Sequence, residues 1–420
     1  MKNLTKAVLL SFFGLATTET LQAGYLNNYN DPNIERLKSA VQNRNINVIQ
    51  FGDSHTAADT LTEVLRNQLQ SSLGNGGMGW AMPMFFTGQR LARFGYDNNG
   101  WQPISSRTQH SGNYTIGGLN AVPRFSGATL TIKAKLSEQP QSIIASIRQA
   151  PSDGNFSGVD ATGKSFTLEA PQKNNRWQTV RFNATLPFTI TAQNANNSAI
   201  GGWWARNQNG QGVVVSAIGI NGAELSNWNR WSSDWQQELS TVAPDLVILA
   251  YGTNEAYNDN LNVEQTRNTL VEKIQDIRRA APQTAIMIVS APESLKSTAG
   301  SCGRRPVKLD AVQQMQQDVA QSMHTLHWDW QQAMGGNCSM KSWINQGLGR
   351  ADGVHFSANG YNKIGQMLAN DLLNIAGVKP SSSAPSDTTS PAAFIKSDYN
   401  NYGYAQICLE GNTECKSIGR

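Results

Sequence analysis

The sequence predicts an α/β domain with a parallel sheet, interrupted by an inserted β-sandwich or jelly roll. Over most of the chain, short apolar segments alternate with amphipathic helical patterns. That alternation is typical of a parallel sheet whose two faces are both covered by helices. Between residues 95 and 205 the apolar residues instead alternate with polar ones, and Gly, Asn and Ser separate the runs. This second pattern indicates antiparallel strands.

The α/β pattern begins with an apolar segment at residues 46–51 that leads into Gly52-Asp53-Ser54-His55. Apolar residues at helical spacing follow and end at Gly74, where a helix would stop. The same strand, turn and helix recur at residues 246–250, followed by Gly252-Thr253-Asn254-Glu255. Further strands are predicted at residues 286–289 and 326–330, and a closing helix at residues 364–375.

The remaining segments complete a predicted division of the chain. Lys2 and Lys6, an apolar run and a small-residue cleavage site indicate a signal peptide. The run is shorter than the ~20 residues that span a membrane, so we expect a periplasmic or secreted protein with no membrane span. Residues 379–392 are rich in Ser, Thr and Pro, which predicts a linker. The predicted division is signal peptide 1–23, α/β domain 24–94 and 206–378, inserted domain 95–205, linker 379–392 and tail 393–420.

Charge and cysteine content narrow the possible partners. The formal charge of +4 is too small and too dispersed to indicate nucleic-acid binding, although it suits work near an anionic polymer such as a cell wall. Four cysteines in an exported chain favour two disulfides, for which three connectivities are possible. Local closure favours Cys302–Cys338 and Cys408–Cys415. No CxxC pair is present, so zinc binding is the less favoured interpretation.

Ser54 lies on the predicted turn between a strand and a helix, where a nucleophile would be exposed at the carboxyl edge of the sheet. A serine hydroxyl needs a neighbouring base to take its proton. Asp352 precedes His355 by three residues, a spacing that lets a carboxylate orient an imidazole. The alternative is that Asp352 and His355 only cap the last helix.

The other histidines have structural interpretations. His55 adjoins the nucleophile, and we expect it to be structural or to contact substrate. His324 and His327 resemble a metal pair, but they fall where a helix passes into a strand and would not share a face. His110 lies in the β insertion and is expected at the surface.

Two further loops end at the same predicted sheet edge. The amide of Asn254 is suited to donating a hydrogen bond to an oxyanion, and Gly222 ends another strand and offers a backbone N–H. Either Gly222 or Gly252 is equally compatible with a plain turn.

Four segments of the chain together resemble the four sequence blocks of the SGNH (GDSL-like) hydrolases. They are Gly52-Asp53-Ser54-His55, Gly222, Gly252-Thr253-Asn254-Glu255 and Asp352-Gly353-Val354-His355. The resemblance implies a flavodoxin-like sheet, with Ser54 as nucleophile, His355 as general base and Asp352 as its partner. It also implies an oxyanion hole formed by the N–H groups of Ser54 and Gly222 and the side chain of Asn254. The chain departs from the family pattern at His55, where Leu is usual, and at Glu255, where Asp is usual.

The form Gly-Asp-Ser-His-Thr-Ala-Ala-Asp, followed by Gly76-Gly77-Met78-Gly79-Trp80 and the β insertion, is similar to the peptidoglycan O-acetylesterases of Gram-negative bacteria. This resemblance implies removal of acetyl groups from the 6-hydroxyl of muramic acid through an acetyl-enzyme, with O-acetylated peptidoglycan as partner. No metal or organic cofactor is required, and we expect a monomer. The insertion resembles a carbohydrate-binding domain, and aromatic residues at positions 74–88 and in Gly201-Gly202-Trp203-Trp204 are candidates for sugar stacking.

Three other functions remain open. The same triad would serve an O-acetyltransferase, in which a sugar hydroxyl replaces water, or an esterase for another acetylated polysaccharide. A non-catalytic cell-wall-binding protein would not need the complete set of Ser54, His355, Asp352 and Asn254.

Overall fold

The computed structural model describes residues 24–194 and 197–381, together with the backbone of three strands between residues 393 and 418. The predicted signal peptide, the linker beyond residue 381 and the side chains of Cys408 and Cys415 lie outside the described residues.

The elements follow one another in four groups. The first group is β1 (Leu26–Asn28), α1 (Ile34–Gln42), β2 (Asn45–Gly52), α2 (Ser54–Ala57) and α3 (Thr60–Leu73). A run of strands follows: β3 (Gly79–Ala81), β4 (Phe94–Asn99), β5 (Trp101–Ser105), β6 (Leu119–Pro123), β7 (Thr129–Ala134), β8 (Gln141–Arg148), β9 (Phe156–Asp160), β10 (Ser165–Leu168), β11 (Trp177–Ala184), β12 (Phe188–Ala192) and β13 (Ala199–Asn207). The α/β alternation then resumes with β14 (Gly212–Gly219), a 3-10 helix (Leu225–Arg230), α4 (Trp235–Val242), β15 (Leu246–Ala250), α5 (Thr253–Tyr257), α6 (Val263–Ala280), β16 (Ala285–Val289), α7 (Leu309–Ser322), β17 (Leu326–Trp328), α8 (Trp330–Met334), α9 (Ser339–Asn345) and α10 (Ala358–Asn374). The tail contains β18 (Ala393–Lys396), β19 (Ala405–Leu409) and β20 (Cys415–Ile418).

The α/β domain is built on a six-stranded sheet in the order β1-β17-β16-β15-β2-β14. The pairs from β14 to β17 are parallel, and β1 joins the edge of β17 antiparallel. Counted from β2, the five parallel strands have the order 2-1-3-4-5 of a flavodoxin-like sheet. The predicted fold class is therefore confirmed. The order reverses beside β2, and ligands of such sheets bind at the carboxyl ends of the strands near this switch point.

The sheet is central because its strands are apolar on both faces. All eight residues of β14 are buried, as are seven of the eight residues of β2. One apolar cluster, which includes Leu61, Leu65 and Leu368, covers one face of the sheet through α3 and α10. Burial of such side chains contributes about 1.5–3 kcal/mol each.

The inserted strands form two antiparallel sheets, in the orders β10-β9-β12-β7-β4 and β11-β8-β13-β6-β5, with β3 also paired to β13. We call these two sheets the sandwich. Along β12, Phe188, Ile190 and Ala192 are buried while the residues between them are partly exposed. This period of two confirms the β-rich insertion that the alternation predicts. The predicted domain limits at residues 95 and 205 remain a prediction.

The sandwich packs against the second face of the α/β sheet and shares its core. Phe51 of β2, Trp80 of β3 and Ile143 of β8 belong to one apolar cluster. Glu238 of α4 is buried at the same boundary, where its carboxyl accepts hydrogen bonds from the indole of Trp204 (2.8 Å) and from two hydroxyl groups. Because this core is continuous, the sandwich is held in a defined position relative to the sheet.

One local prediction needs correction. The strand expected at residues 326–330 ends at Trp328, because the Asp329 side chain accepts a hydrogen bond from Gln332 N (3.0 Å) and starts α8. Apolar residues alternate with polar ones from Phe182 to Ile190 across two strands, β11 and β12, and Pro187, which has no N–H to donate to a neighbouring strand, lies between them.

Within residues 24–194 and 197–381, none of the helices combines the length and apolar character that crossing a membrane requires.

Candidate active site

Ser54 is the first residue of α2, directly after the turn that ends β2. The turn depends on Gly52, because a Cβ atom there would lie 2.2 Å from Oγ1 of Thr56 and 2.7 Å from the carbonyl oxygen of Ala250. The carboxylate of Asp53 accepts a hydrogen bond from the N–H of His55 at 3.0 Å and so caps the short helix. These contacts present the Ser54 hydroxyl at the carboxyl edge of the sheet.

Three side chains predicted to act together form one hydrogen-bonded chain. Oγ of Ser54 lies 2.9 Å from Nε2 of His355, although 301 residues separate them in sequence. Nδ1 of His355 lies 2.9 Å from Oδ2 of Asp352. The structure thus brings Ser54, His355 and Asp352 together in the arrangement of a nucleophile, a base and an orienting carboxylate.

The carboxylate of Asp352 determines which nitrogen of His355 carries the proton. Partial burial would raise the pKa of Asp352, but hydrogen bonds from the His355 ring and from the N–H groups of His355 and Val354 lower it to about 2. An ionised carboxylate can only accept hydrogen bonds, so Nδ1 of His355 is the protonated nitrogen. Nε2 is then free to accept the proton of the Ser54 hydroxyl.

The donors predicted for an oxyanion hole belong to residues that line the same cleft as Ser54. Gly222 follows β14 and has a φ of +69°, a conformation that favours glycine. Among the described residues, neither the N–H of Ser54 nor that of Gly222 donates a hydrogen bond within the protein. The Asn254 amide donates one N–H to the carbonyl oxygen of Ala223 at 2.9 Å, which orients its second N–H. All three groups line the cleft that contains Ser54.

A buried carboxyl group connects the two loops that carry these donors. Glu255 accepts hydrogen bonds from the N–H of Leu225 (2.8 Å) and from the N–H of Gly252 (3.0 Å). Burial raises the pKa of Glu255 to about 7. Because one side chain bridges both loops, it holds Gly222 and Asn254 in register. The family pattern has the shorter Asp at this position.

His55 packs beneath the triad and does not enter the cleft. Its ring is buried, its centroid lies 5.4 Å from that of His355, and Nδ1 lies 2.9 Å from the Tyr361 hydroxyl. Burial, followed by the nearby charge of His355, lowers the pKa of His55 well below its ordinary value. His55 is therefore a neutral ring that supports His355, which agrees with the structural role predicted for it.

The cleft around Ser54 has a volume of about 660 Å³ and includes residues that the sequence did not single out. Arg107 reaches it from the loop after β5 of the sandwich, and Arg350 and Tyr257 line it from the α/β domain. Gly88 also lines the cleft, where the side chain of Asn221 donates to its carbonyl oxygen. Gly88 belongs to the stretch 74–88 that the sequence singles out for sugar stacking, whereas Arg107 carries no local signal.

The tryptophans proposed for sugar stacking are core residues. Trp203 and Trp204 are only 1% and 5% exposed, and Trp80 is 2% exposed. Their position in β13 and β3, between the sandwich and the α/β sheet, accounts for this burial. Phe85, by contrast, is 49% exposed and lines a cavity next to the cleft.

The remaining predicted residues lie away from the cleft. His327 is buried in β17 and His324 is exposed before it, and no group of three or more His, Cys, Asp or Glu side chains in the described part of the chain is placed to hold a metal. His110 is exposed in the sandwich. Cys302 and Cys338 form a disulfide with Cα atoms 4.9 Å apart.

Comparison with known proteins gives matches over both parts of the fold. Residues 76–189 match the family model described as peptidoglycan O-acetylesterase, N-terminal, and residues 179–363 match that of the GDSL-like lipase/acylhydrolase family. A solved structure described as a peptidoglycan O-acetylesterase in action is 38% identical, with a TM-score of 0.76. That match covers 84% of this chain and 99% of the other.

More distant similarity is limited. A family two carbohydrate esterase from Clostridium thermocellum is 12% identical with a TM-score of 0.30, and the match covers 68% of this chain and 99% of that one. An acetyl xylan esterase is 11% identical with a TM-score of 0.30, over 37% of this chain and 79% of that one. TM-scores this low carry no argument about function. A comparison with curated protein sequences gave no match.

The match to the solved esterase extends over the sandwich and the α/β domain alike, and it is well above the identity at which only the fold is shared. The chain therefore belongs to the peptidoglycan O-acetylesterase family.

Proposed function

We propose that this protein removes acetyl groups from the 6-hydroxyl of muramic acid in peptidoglycan, with Ser54 as nucleophile. The observation that carries the proposal is the continuous hydrogen-bonded chain from Asp352 through His355 to Ser54, with both bonds 2.9 Å long. Family membership supports ester hydrolysis on peptidoglycan.

The reaction proceeds in two halves. Ser54 Oγ attacks the acetyl carbonyl carbon while Nε2 of His355 takes its proton, and the resulting oxyanion is held by Ser54 N–H, Gly222 N–H and the Asn254 amide. His355 then protonates the departing sugar oxygen, which leaves an acetyl-enzyme. Water attacks the carbonyl carbon of this ester while Nε2 of His355 accepts a proton from the water. The tetrahedral intermediate then collapses: the bond from the acetyl carbon to Ser54 Oγ breaks, His355 returns the proton to Oγ, and acetate leaves. The ionised carboxylate of Asp352 stabilises the imidazolium formed in each half.

The cell compartment is part of the same proposal. Peptidoglycan lies outside the cytoplasmic membrane, and the predicted signal peptide would export the chain to the periplasm or beyond. A disulfide such as Cys302–Cys338 persists in oxidising compartments of this kind.

The test is acetate release from O-acetylated sacculi by the purified mature protein, with base-treated sacculi as the substrate control and Ser54→Ala as the enzyme control. We expect release only from O-acetylated sacculi and only with Ser54 present. Acetate release that persists in Ser54→Ala would contradict the proposed nucleophile. Transfer of acetyl to an added chito-oligosaccharide, in place of release, would support the O-acetyltransferase instead.

A further inference from the structure

The cleft that contains Ser54 adjoins a second cavity of about 420 Å³ on the sandwich side. The two spaces share wall residues, among them Ala58, Gly88 and Arg350. We call the second cavity the distal cavity. Its own walls include Phe85, Arg90, Tyr96 and Lys135, most of them from the segment between β3 and β4 and from the end of β7. Because the two spaces share these walls, we expect the path of a polymeric substrate bound at Ser54 to run from the cleft into the distal cavity.

The walls of this path are strongly basic. Arg107 and Arg350 line the catalytic end, and Arg90 and Lys135 line the distal end. The one carboxylate among the residues that line either space is Asp352, and it is already engaged by His355. This concentration of positive charge contrasts with the formal charge of only +4 over the whole chain.

Two of the cations that line the distal cavity, Arg90 and Lys135, lack a direct ion-pair partner among the described residues. In the described part of the chain, neither Arg90 nor Lys135 takes part in an ion pair. The ammonium of Lys135 donates to the carbonyl oxygen of Leu91 at 2.8 Å, which holds it at the cavity wall. Partial burial and the neighbouring Arg90 both lower the pKa of Lys135. Two adjacent cations that repel each other in the free protein would be stabilised by a bound anion.

The backbone around Arg90 is fixed to the catalytic edge. Arg90 N–H donates to the carbonyl oxygen of Ala57 in α2 at 3.1 Å, three residues after Ser54. The Asn221 side chain donates to Gly88 on the same segment, beside Gly222. The distal cavity is thus held at a set distance from the nucleophile, as a subsite for a second part of the substrate must be.

Peptidoglycan offers two kinds of chain to such a subsite. Its glycan is uncharged, whereas its stem peptides carry free carboxylates and leave the muramic acid ring at C3, the same ring whose C6 oxygen carries the acetyl group. A cavity with two unpaired cations, bounded by Phe85 and Tyr96, matches an anionic peptide with apolar side chains better than a neutral sugar.

We propose that the distal cavity is a stem-peptide subsite, in which Arg90 and Lys135 bind a carboxylate of the peptide attached to the muramic acid being deacetylated. The inference rests on the proposed function, because it assumes that peptidoglycan is the substrate. It makes the sandwich a contributor to substrate selection through charge, and it would favour peptidoglycan over neutral acetylated polysaccharides.

The experiment compares two substrates and two double variants of the full-length mature protein. Sonicated O-acetylated sacculi are used directly or after carbodiimide coupling of their carboxyl groups to glycinamide, with base-releasable acetate measured to confirm that the esters survive. Arg90→Gln/Lys135→Met removes the positive charges of Arg90 and Lys135 from the wall of the distal cavity. Lys133→Met/Arg181→Gln removes the same net charge from sandwich strands outside the cavity, where Lys133 pairs with Asp97.

On untreated sacculi, we expect Arg90→Gln/Lys135→Met to lower kcat/KM by about 10- to 100-fold, since each charge-assisted contact contributes about three- to tenfold. Wild type should lose a similar factor when the carboxyl groups are amidated, and the cavity variant should be indifferent to amidation. The control variant should behave as wild type on both substrates. All proteins should hydrolyse p-nitrophenyl acetate equally, because that ester does not reach the distal cavity.

The outcomes separate the two proposals. Wild-type activity of Arg90→Gln/Lys135→Met on untreated sacculi, or a wild-type rate unaffected by amidation, would overturn the subsite while leaving the proposed function in place. An equal loss in the control variant would also overturn it, because the effect would then come from net charge alone. Hydrolysis of p-nitrophenyl acetate with no acetate release from either form of sacculi would overturn the proposed function and the subsite with it.

Discussion

Replacing Asp352 with Asn tests the proton arrangement of the triad with almost no change in shape. In the native site, Oδ1 of Asp352 accepts from two backbone N–H groups, those of Val354 at 2.8 Å and His355 at 2.9 Å. The asparagine carbonyl oxygen must keep this position, because an NH₂ group there would face two donors and lose both hydrogen bonds. The NH₂ group therefore replaces Oδ2, which lies 2.9 Å from Nδ1 of His355.

This exchange reverses the tautomer of His355. An NH₂ group only donates, so Nδ1 must become the acceptor and the proton moves to Nε2, which lies 2.9 Å from Ser54 Oγ. Nε2 can then no longer accept the serine proton. The variant also loses the charge that stabilises the imidazolium. We expect kcat/KM to fall by about 10⁴-fold, equivalent to about 5.5 kcal/mol of transition-state stabilisation.

The assay is kcat/KM for p-nitrophenyl acetate and acetate release from O-acetylated sacculi, with the free energy of unfolding measured in parallel. Asp160→Asn is a matched control. Hydrogen bonds, the strongest from the Thr162 side chain, outweigh burial and lower the pKa of Asp160 to about 2 as well, but Asp160 lies in the sandwich away from any histidine. We expect that control to keep full activity. Retention of more than about a tenth of wild-type activity by Asp352→Asn would refute the tautomer argument.

Three further predictions address the loops and the disulfide. Asn254→Ala should lower kcat by about 100- to 1000-fold with little change in KM, because it removes one oxyanion donor; a loss confined to KM in steady-state kinetics would contradict that role. Glu255→Gln should change how stability depends on pH. Burial raises the pKa of Glu255 from 4.5 to about 7, so the folded wild type holds a proton that the unfolded chain releases as the pH rises through this window. As the pH rises through this window, the free energy of unfolding of wild type should therefore fall by about 3 kcal/mol relative to that of Glu255→Gln. If denaturation gives the same difference between the two proteins at both pH limits, the expected pKa shift is absent. Replacing both Cys302 and Cys338 with Ser opens a loop with a sequence separation of 36 and should lower the free energy of unfolding by about 4 kcal/mol, measured by urea denaturation; an unchanged midpoint would mean that the bond does not restrict the unfolded chain.

Much of the fold could be predicted because its signals are local. The apolar strands, the helical spacing after Ser54 and the alternation along β12 each follow from the side of an element that must be buried. An error arose where a polar residue ended an element, because Asp329 starts a helix where the strand was expected to continue. The periodicity of apolar residues does not register such boundaries.

Aromatic residues illustrate a second limit. Trp203 and Trp204 are of a residue type that stacks on sugar rings, yet both are buried where the sandwich meets the α/β sheet. Phe85, by contrast, is exposed beside the cleft. Burial depends on which surfaces the two parts of the chain bring together. A residue's own neighbours in sequence do not contain that information.

The sequence by itself determined the fold class, the residues proposed for the chemistry and the family resemblance. Ser54, Asn254 and the Asp352/His355 pair each stand in a short motif that can be identified from its neighbouring residues alone. Only the tertiary structure decided how these motifs are held and what else they meet. Glu255 bridges two loops through backbone N–H groups. Arg90 and Lys135 come together from separate segments at one cavity. Such contacts join positions far apart in the chain, and their strength depends on distance and burial in the folded state, which no local pattern of residues specifies.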